Sequence, residues 1–203
     1  IWYKKTIALN LQKDYQMTYI IGDVHGEFDS LRILADKFPK DSKLIFVGDL
    51  VDGWKKSNEV VNFVKSNNHL CVLGNHEKMM IEYVKEFEKT YPNLPSMVYY
   101  HRWIYNGGKQ TLLSYEVIKV DKSDGKLVCL EDEKEEVFEE YALWNKKEPK
   151  LDVPIFNIFG HTIQKEVDLT KHLIDIDTGC CYTKEDYGKL SAYCVELNEV
   201  VST

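Results

Sequence analysis

Four short apolar runs, each followed by a glycine and a residue that can bind metal, constrain the fold of this chain more than any other feature. The runs are Tyr19–Ile21, Leu44–Val47, Leu70–Leu73 and Ile155–Phe159. Short runs of β-branched and aromatic residues that end at glycine are typical of buried strands. Apolar residues at helical spacing separate the first three runs, so a β-α-β-α-β order and an α/β fold are predicted.

Further elements are predicted along the rest of the chain. Apolar residues from Met79 to Phe87 recur at helical spacing, which indicates a helix with a core-facing stripe. The segment 99–116 is predicted to be a helix interrupted at Gly107-Gly108. Near the C-terminus, Leu173–Ile176 and Leu190–Leu197 are predicted to be strands joined by a turn that contains glycine.

Length and charge limit the class of protein. The 203 residues have room for one domain, predicted over 17–203, with residues 1–16 as an N-terminal extension or an edge strand. The net charge of −7 gives no overall positive field that would attract nucleic acid or an anionic membrane. Five cysteines without a Cys-x-x-Cys pair, and the lack of a long apolar segment, favour a cytoplasmic protein.

The turns that follow the four apolar runs are rich in oxygen and imidazole donors. They read Gly22-Asp23-Val24-His25, Gly48-Asp49-Leu50-Val51-Asp52, Gly74-Asn75-His76-Glu77 and Gly160-His161. Ligand sites of α/β sheets lie outside the carboxyl ends of the strands, so these turns are predicted to converge. Carboxylate and imidazole donors without cysteine suit Mn²⁺, Fe²⁺ or Zn²⁺.

With these motifs the chain resembles the calcineurin-like metallophosphoesterases, and within them the Ser/Thr protein phosphatases of the small bacterial and phage type. The resemblance covers roughly residues 17–197. It implies a single-domain β-sandwich flanked by helices (α/β/β/α), with a metal site at one sheet edge. It also implies hydrolysis of a phosphomonoester by a water that two divalent metal ions activate.

The resemblance further implies a role for seven residues. Two divalent ions, Mn²⁺ or alternatively Fe or Zn, would be held by Asp23, His25, Asp49, Asn75 and His161, with Asp49 as the bridging carboxylate. His76 would be the general acid that protonates the leaving group, and Asp52 would orient its imidazole. An imidazolium beside a carboxylate is a suitable proton donor near neutral pH.

The chain departs from the family pattern at three places. Asp52 is followed by Gly53-Trp54 where the family has arginine, and Leu143-Trp144 is followed by Asn145 where small bacterial members have a nearby arginine. The family's further histidine is also missing, since His101, in a predicted helix, is the one histidine between Glu77 and Gly160. Point charges that could replace the arginines are Lys55, Lys56 and Arg102.

Three functions are compatible with this pattern. The leading hypothesis is a phosphatase for phosphoserine or phosphothreonine, with a phosphoprotein or small phosphoester as substrate. Asp52 and Glu77 favour it over the alternative, a dinucleoside polyphosphate or nucleotide hydrolase of the same superfamily. A catalytically weakened homologue that binds metal or a partner is the third hypothesis, motivated by the missing arginines and histidine.

Overall fold

The structure is a computed structural model of the chain, and it describes residues 17–90, 102–115, 157–170 and 173–203. The strands within these ranges are β1 (Thr18–Ile21), β2 (Lys43–Phe46), β3 (Leu70–Cys71), β4 (Asn157–Phe159), β5 (Leu173–Asp175), β6 (Ser191–Cys194) and β7 (Glu199–Ser202). The α-helices are α1 (Phe28–Ala35), α2 (Ser57–Ser66), α3 (Asn75–Thr90) and α4 (Lys109–Ser114), and a π-helical turn, Ile104–Gly108, precedes α4.

Two sheets carry the strands. Five strands form a mixed sheet in the order β3-β2-β1-β6-β7, in which β1, β2 and β3 run parallel and β6 is antiparallel to both of its neighbours. Strands β4 and β5 form a parallel pair of their own. The carboxyl ends of β1, β2 and β3 therefore lie along one edge, as the sequence predicts. The α/β metallophosphoesterase fold, a single domain with helices flanking a mixed sheet, is confirmed.

The main core lies between the five-stranded sheet and the helices α1 and α2. Ile21 and Phe46 have no exposed surface on the strands, and Leu31 on α1 and Val60 on α2 are equally buried in the same cluster. A second cluster joins Met79 and Tyr83 of α3 to Trp103. The predicted core-facing stripe of α3 is therefore confirmed for these two residues. The helix itself begins at Asn75, in the turn that follows β3.

Several predicted strand boundaries were wrong. The third run forms a strand only at Leu70–Cys71, and both residues are exposed because β3 is the edge strand of the sheet. The run Leu190–Leu197 contains β6 but ends in a turn where Asn198 has a φ of 54°, which leads into the unpredicted β7. Strands β5 and β6 belong to different sheets and so are not a hairpin.

Some sequence-based expectations fall outside the described residues. These are the nature of residues 1–16, the role of His101, and the segment that contains Leu143-Trp144. In the ranges that the structure does describe, no helix combines the length and the apolar character needed to cross a membrane.

Candidate metal centre

The first three turns meet through backbone hydrogen bonds. The amides of Val24 and His25, directly after β1, donate to the carbonyl oxygen of Asp49 at 3.0 and 2.9 Å. The amide of Gly26 donates to the carbonyl of Leu50 at 2.9 Å. Because the turn after β1 is bonded along its length to the turn after β2, the predicted ligands on the two turns face a common space.

His25, Asp49 and His76 form the centre of this space. Each offers one ligand atom, and these atoms lie within 4.8 Å of one another, close enough to bind one metal ion. The Nδ1 atom of His25 lies 3.0 Å from the carbonyl oxygen of Val51. A carbonyl only accepts, so Nδ1 carries the hydrogen and Nε2 keeps the lone pair that a metal would bind.

His161 joins this centre through Asp23. Its backbone amide donates to the carboxylate of Asp23 at 3.0 Å, which ties the turn after β4 to the turn after β1. Gly160 allows the approach, since a Cβ atom there would overlap the carboxylate of Asp23. Asn75 is the first residue of α3 and follows the turn after β3. Its side chain is buried, since only 3% of the residue's surface is exposed. Four predicted ligands thus follow strands of the five-stranded sheet, and His161, which follows β4 of the second sheet, is tied to them through Asp23.

Three aspartates in this centre are buried and repel one another. Asp23, Asp49 and Asp177 are 3%, 4% and 3% exposed. Burial raises the pKa of Asp23 well above its ordinary value, and repulsion from Asp177 and Asp49 adds to the shift. Buried carboxylates with imidazoles beside them fit divalent metal ions, whose charge would offset this repulsion.

Asp177 is a candidate site residue that the sequence analysis missed. Its pKa is raised, by burial above all, while charge on His25 and His161 lowers it and charge on Asp49 raises it. The carboxyl group of Asp177 therefore interacts electrostatically with three of the predicted ligands. The signal was present, because Asp177 follows the predicted strand Leu173–Ile176 and precedes Thr178-Gly179, much as Asp23 follows the first run.

The neighbouring Asp175 gives a testable pH dependence. Burial raises its pKa from 3.8 to about 7. A carboxyl whose pKa is higher in the folded state stabilises the fold fully below its unfolded pKa, and this contribution is lost as the pH rises through the folded value. We expect the free energy of unfolding of the metal-free protein to fall between about pH 4 and 7, and Asp175→Asn to reduce that fall by about 1–2 kcal/mol after solvent screening.

Urea denaturation at several pH values measures this effect. Asn keeps an oxygen acceptor for the backbone amide of Asp177, which lies 3.2 Å from Oδ1 of Asp175. The matched control is Asp41→Asn, at an exposed position. A pH dependence that is the same in Asp175→Asn and in the unmodified chain would refute the expectation.

His76 and Asp52 form a second functional unit beside the metal centre. The Nδ1 atom of His76 donates to Oδ2 of Asp52 at 2.7 Å. Burial alone lowers the pKa of His76, but this hydrogen bond and the charges of Asp49, Asp52 and Glu77 raise it more, so the net shift is upward. The shift favours the protonated imidazole, which suits the predicted general acid.

The carboxylate of Asp52 is enclosed by donors from the segment 102–115. The indole Nε1 of Trp103 lies 2.9 Å from each carboxylate oxygen, and the hydroxyl of Thr111 donates to Oδ1 at 2.6 Å. This segment contains the predicted helix break, which is confirmed because Gly107 has a φ of 102°. Neither Trp103 nor Thr111 could be found from sequence, since the break that brings them to Asp52 is a three-dimensional feature.

Glu77 holds the turns in place. Its carboxylate accepts hydrogen bonds from the backbone amides of Asp49, Leu50 and Val51 at 2.8, 2.7 and 3.1 Å, and from Gly74 at 3.0 Å. It occupies the first turn of α3, where the helix dipole also favours a carboxylate. These four contacts are all with backbone amides, so the turns explain a glutamate at this position without reference to the substrate.

We expect Glu77→Gln to lower the free energy of unfolding by about 2 kcal/mol at pH 8, because the amide nitrogen of Gln must face backbone N–H groups. Burial, together with the charge of Asp49, raises the pKa of Glu77 to about 7, so pH 8 keeps most of the carboxyl ionised in the native protein. Chemical denaturation measures the loss. Glu82→Gln is the control, on the same helix with an exposed side chain. Equal stability of the two variants would contradict the role given to Glu77.

Backbone strain is concentrated at the predicted site residues. The φ angles are 49° at His25 and Asp49, 73° at Asp52 and 85° at His161. Such left-handed conformations cost on the order of 1–3 kcal/mol each for residues other than glycine and cluster at functional sites. Four of the seven predicted site residues are held in this way, which supports a functional site here.

One of the departures from the family pattern, at Gly53, has a structural counterpart. At Gly53 the φ is 76°, and a Cβ atom would lie 3.2 Å from Cβ of His25 and 3.3 Å from Cβ of Cys181, so a longer side chain would be strained. Lys56, one possible substitute cation, pairs with Asp29 at 2.5 Å.

A mixed α/β sheet with carboxylates and imidazoles gathered at the carboxyl ends of its strands defines a class of metal-binding phosphoesterases. The chain belongs to the calcineurin-like phosphoesterase family, whose pattern matches residues 18–190.

Curated relatives match parts of the chain. Over 81 residues the chain is 40% identical to the symmetrical bis(5'-nucleosyl)-tetraphosphatase of Actinobacillus pleuropneumoniae serotype 5b (strain L20), a match that covers 37% of this chain and 30% of that protein. It is 46% identical over 65 residues to the enzyme of the same name from Psychromonas ingrahamii (strain DSM 17664 / CCUG 51855 / 37), which covers 30% of this chain and 24% of that protein. The chain therefore spans less than a third of the length of these relatives.

Similarity to a solved structure extends over nearly the whole chain. A crystal structure of a protein provisionally described as a diadenosine tetraphosphatase has a TM-score of 0.56 and 21% sequence identity, and the match covers 95% of each chain. At this identity the match supports the fold, in agreement with the strand order and the family pattern.

Proposed function

We propose that this chain is a metal-dependent phosphoester hydrolase whose substrates are dinucleoside polyphosphates. The observation that carries the hydrolase proposal is the position of the His76–Asp52 pair beside the ligand atoms of His25 and Asp49. A proton donor next to a metal-binding cluster provides both requirements of phosphoester hydrolysis, a place to activate water and a means to protonate the leaving group.

The metal centre would be held by Asp23, His25 and Asp49 on one side and by Asp49, Asn75 and His161 on the other. Divalent ions bound there would lower the pKa of a water to near neutrality and offset the charge of the phosphoryl group. Oδ1 of Asp49 accepts the backbone N–H of His76 at 2.9 Å, which fixes the carboxylate that is the proposed bridge.

The proton donor would be His76. Its Nδ1 is engaged with Asp52, so Nε2 is the nitrogen available to the leaving-group oxygen. The raised pKa of His76 favours the protonated imidazole, which would carry the transferable proton. Asp52 fixes the orientation of the ring and stabilises its positive charge before transfer.

The substrate class is supported by the relatives named above, which are bis(5'-nucleosyl)-tetraphosphatases. The sequence favoured phosphoserine and phosphothreonine as substrates, in part because of Glu77. The hydrogen bonds of Glu77 with backbone amides explain this residue without reference to the substrate. The relatives favour the alternative substrate class instead. Manganese is the proposed metal, on donor chemistry alone.

A substrate comparison tests the proposal. The purified, metal-stripped chain would be supplied with Mn²⁺ and offered bis(5'-adenosyl) tetraphosphate or a phosphoserine peptide, with product analysis. We expect ADP from the dinucleotide and a kcat/KM at least tenfold higher than on the peptide. A preference for the peptide would restore the Ser/Thr phosphatase hypothesis, and metal binding without turnover of either would indicate a weakened homologue.

A further inference from the structure

Asp52 is a buried charge that depends on donors from outside its own turn. Its side chain has no exposed surface. It forms an ion pair with His76, whose Nδ1 lies 2.7 Å from Oδ2 of Asp52. A buried carboxylate must be satisfied by hydrogen bonds, so its orientation is set by whichever groups donate to it. Those groups are His76 and the segment 102–115.

Trp103 connects the carboxylate to the helix that carries His76. Its indole N–H lies 2.9 Å from both oxygens of Asp52, and the residue is 1% exposed. Its ring lies 4.9 Å from the ring of Tyr83, and Met79 completes the same buried cluster. Tyr83, Met79 and His76 all belong to α3. Trp103 therefore fixes Asp52 relative to the helix whose second residue is His76.

Thr111 binds Oδ1 of Asp52, whereas His76 binds Oδ2. Its hydroxyl accepts the backbone N–H of Asp52 at 2.9 Å and donates its single hydrogen to Oδ1 of Asp52 at 2.6 Å. The hydroxyl of Ser57 lies 3.2 Å from that of Thr111, and 3.2 Å from the same backbone nitrogen. A hydroxyl held between an amide and a carboxylate has one hydrogen-bonding orientation, so Thr111 restrains both the backbone and the side chain of Asp52.

The break in the helix is what lets both residues reach one carboxylate. Trp103 and Thr111 are eight residues apart, which in a regular α-helix is a separation of about 12 Å along the axis. At Gly107 the chain turns, with a φ of 102°, and a Cβ atom there would lie 3.1 Å from Cβ of Asp52 and 2.8 Å from the nitrogen of Gly53. Gly107 therefore packs directly against Asp52 and Gly53, in the turn that follows β2.

We propose that Trp103 and Thr111 are positioning residues that hold the carboxylate of Asp52, and through it the imidazole of His76, in the geometry for proton donation. This inference rests on the proposed hydrolase function. It assigns to the segment 102–115 a role in the reaction, in addition to its packing against α3. Both residues bind Asp52, which in turn binds His76, and they would act through this pair.

Thr111→Val, with Thr111→Ser as its matched variant, tests the proposal. Val keeps the branched shape and removes the hydroxyl, whereas Ser keeps the hydroxyl. With Mn²⁺ and bis(5'-adenosyl) tetraphosphate, we expect Thr111→Val to lower kcat about tenfold while KM and Mn²⁺ affinity change less than about twofold. Thr111→Ser should recover most of that loss. Trp103→Phe, which removes the indole N–H, should also lower kcat at least tenfold without weakening Mn²⁺ binding.

A structural role alone predicts a different pattern. If the two residues only stabilise the fold, Thr111→Ser would be as impaired as Thr111→Val, or the variants would lose Mn²⁺ affinity and thermal stability in step with kcat, and the inference would be overturned. Unchanged kcat in Thr111→Val and Trp103→Phe would also overturn it. Absence of turnover in the unmodified chain would instead refute the proposed function, and this inference with it.

Discussion

Asp49→Asn is expected to abolish metal-dependent hydrolysis, with a fall in kcat/KM of at least about a thousandfold, equivalent to ~4 kcal/mol of transition-state stabilisation. Asp49 is buried between the turns after β1 and β3, and its donor atom lies within 4.8 Å of those of His25 and His76. Asn lacks the negative charge that a bridging ligand supplies. Mn²⁺ affinity, measured by isothermal titration calorimetry, should fall together with activity.

The fold should tolerate this substitution. Asn retains an oxygen that can accept the N–H of His76, and it adopts the left-handed φ of 49° readily. Removing a carboxyl group that repels Asp23 and Asp177 should leave the metal-free protein at least as stable as the unmodified chain. Asp186→Asn is the matched control, an exposed aspartate with a φ of 77° that pairs with Lys165. Full activity in Asp49→Asn would show that hydrolysis does not depend on a metal centre bridged by Asp49.

His76→Asn is expected to lower kcat by about a hundredfold to ten-thousandfold while Mn²⁺ affinity changes little. This result would separate the two uses of His76 that the geometry allows, because its ring lies within reach of both the metal cluster and Asp52. A general acid contributes most when the leaving group is basic. The loss should therefore be larger on phenyl phosphate than on p-nitrophenyl phosphate, when both are measured at saturating substrate.

A role of His76 as a metal ligand predicts a different result. If His76→Asn lost Mn²⁺ affinity as strongly as Asp49→Asn, and both aryl esters were affected alike, His76 would be a metal ligand and Asp52 its orienting partner. His69→Asn is the control for loss of a histidine away from the site, since His69 packs beside Phe46 and Phe63.

The turns that carry the site were predictable because they combine strand periodicity with residue chemistry. An apolar run that ends at Gly22 predicts a strand with Asp23 at its carboxyl end, and parallel neighbours bring Asp49 to the same edge. The same rule applies to Asp177 after β5, and it would have found this residue had it been used throughout the chain. Metal-ligand chemistry at strand ends is thus a local pattern that sequence retains.

Other parts of the site depend on contacts between distant segments. Glu77 is 28 residues from Asp49, yet its carboxylate binds the backbone of that turn, and nothing in the sequence near Glu77 indicates this contact. Trp103 and Thr111 reach Asp52 only because the chain breaks at Gly107. The strand after Asn198 was missed because a left-handed residue without a glycine makes the turn.

The central claim is that this sheet edge holds a metal centre that hydrolyses phosphoesters. Phosphate release from p-nitrophenyl phosphate by the metal-stripped chain, with and without added Mn²⁺, tests it most directly. We predict negligible release without metal and saturable turnover once Mn²⁺ fills the site. Turnover that is independent of metal, or no turnover when calorimetry shows Mn²⁺ bound, would contradict the claim.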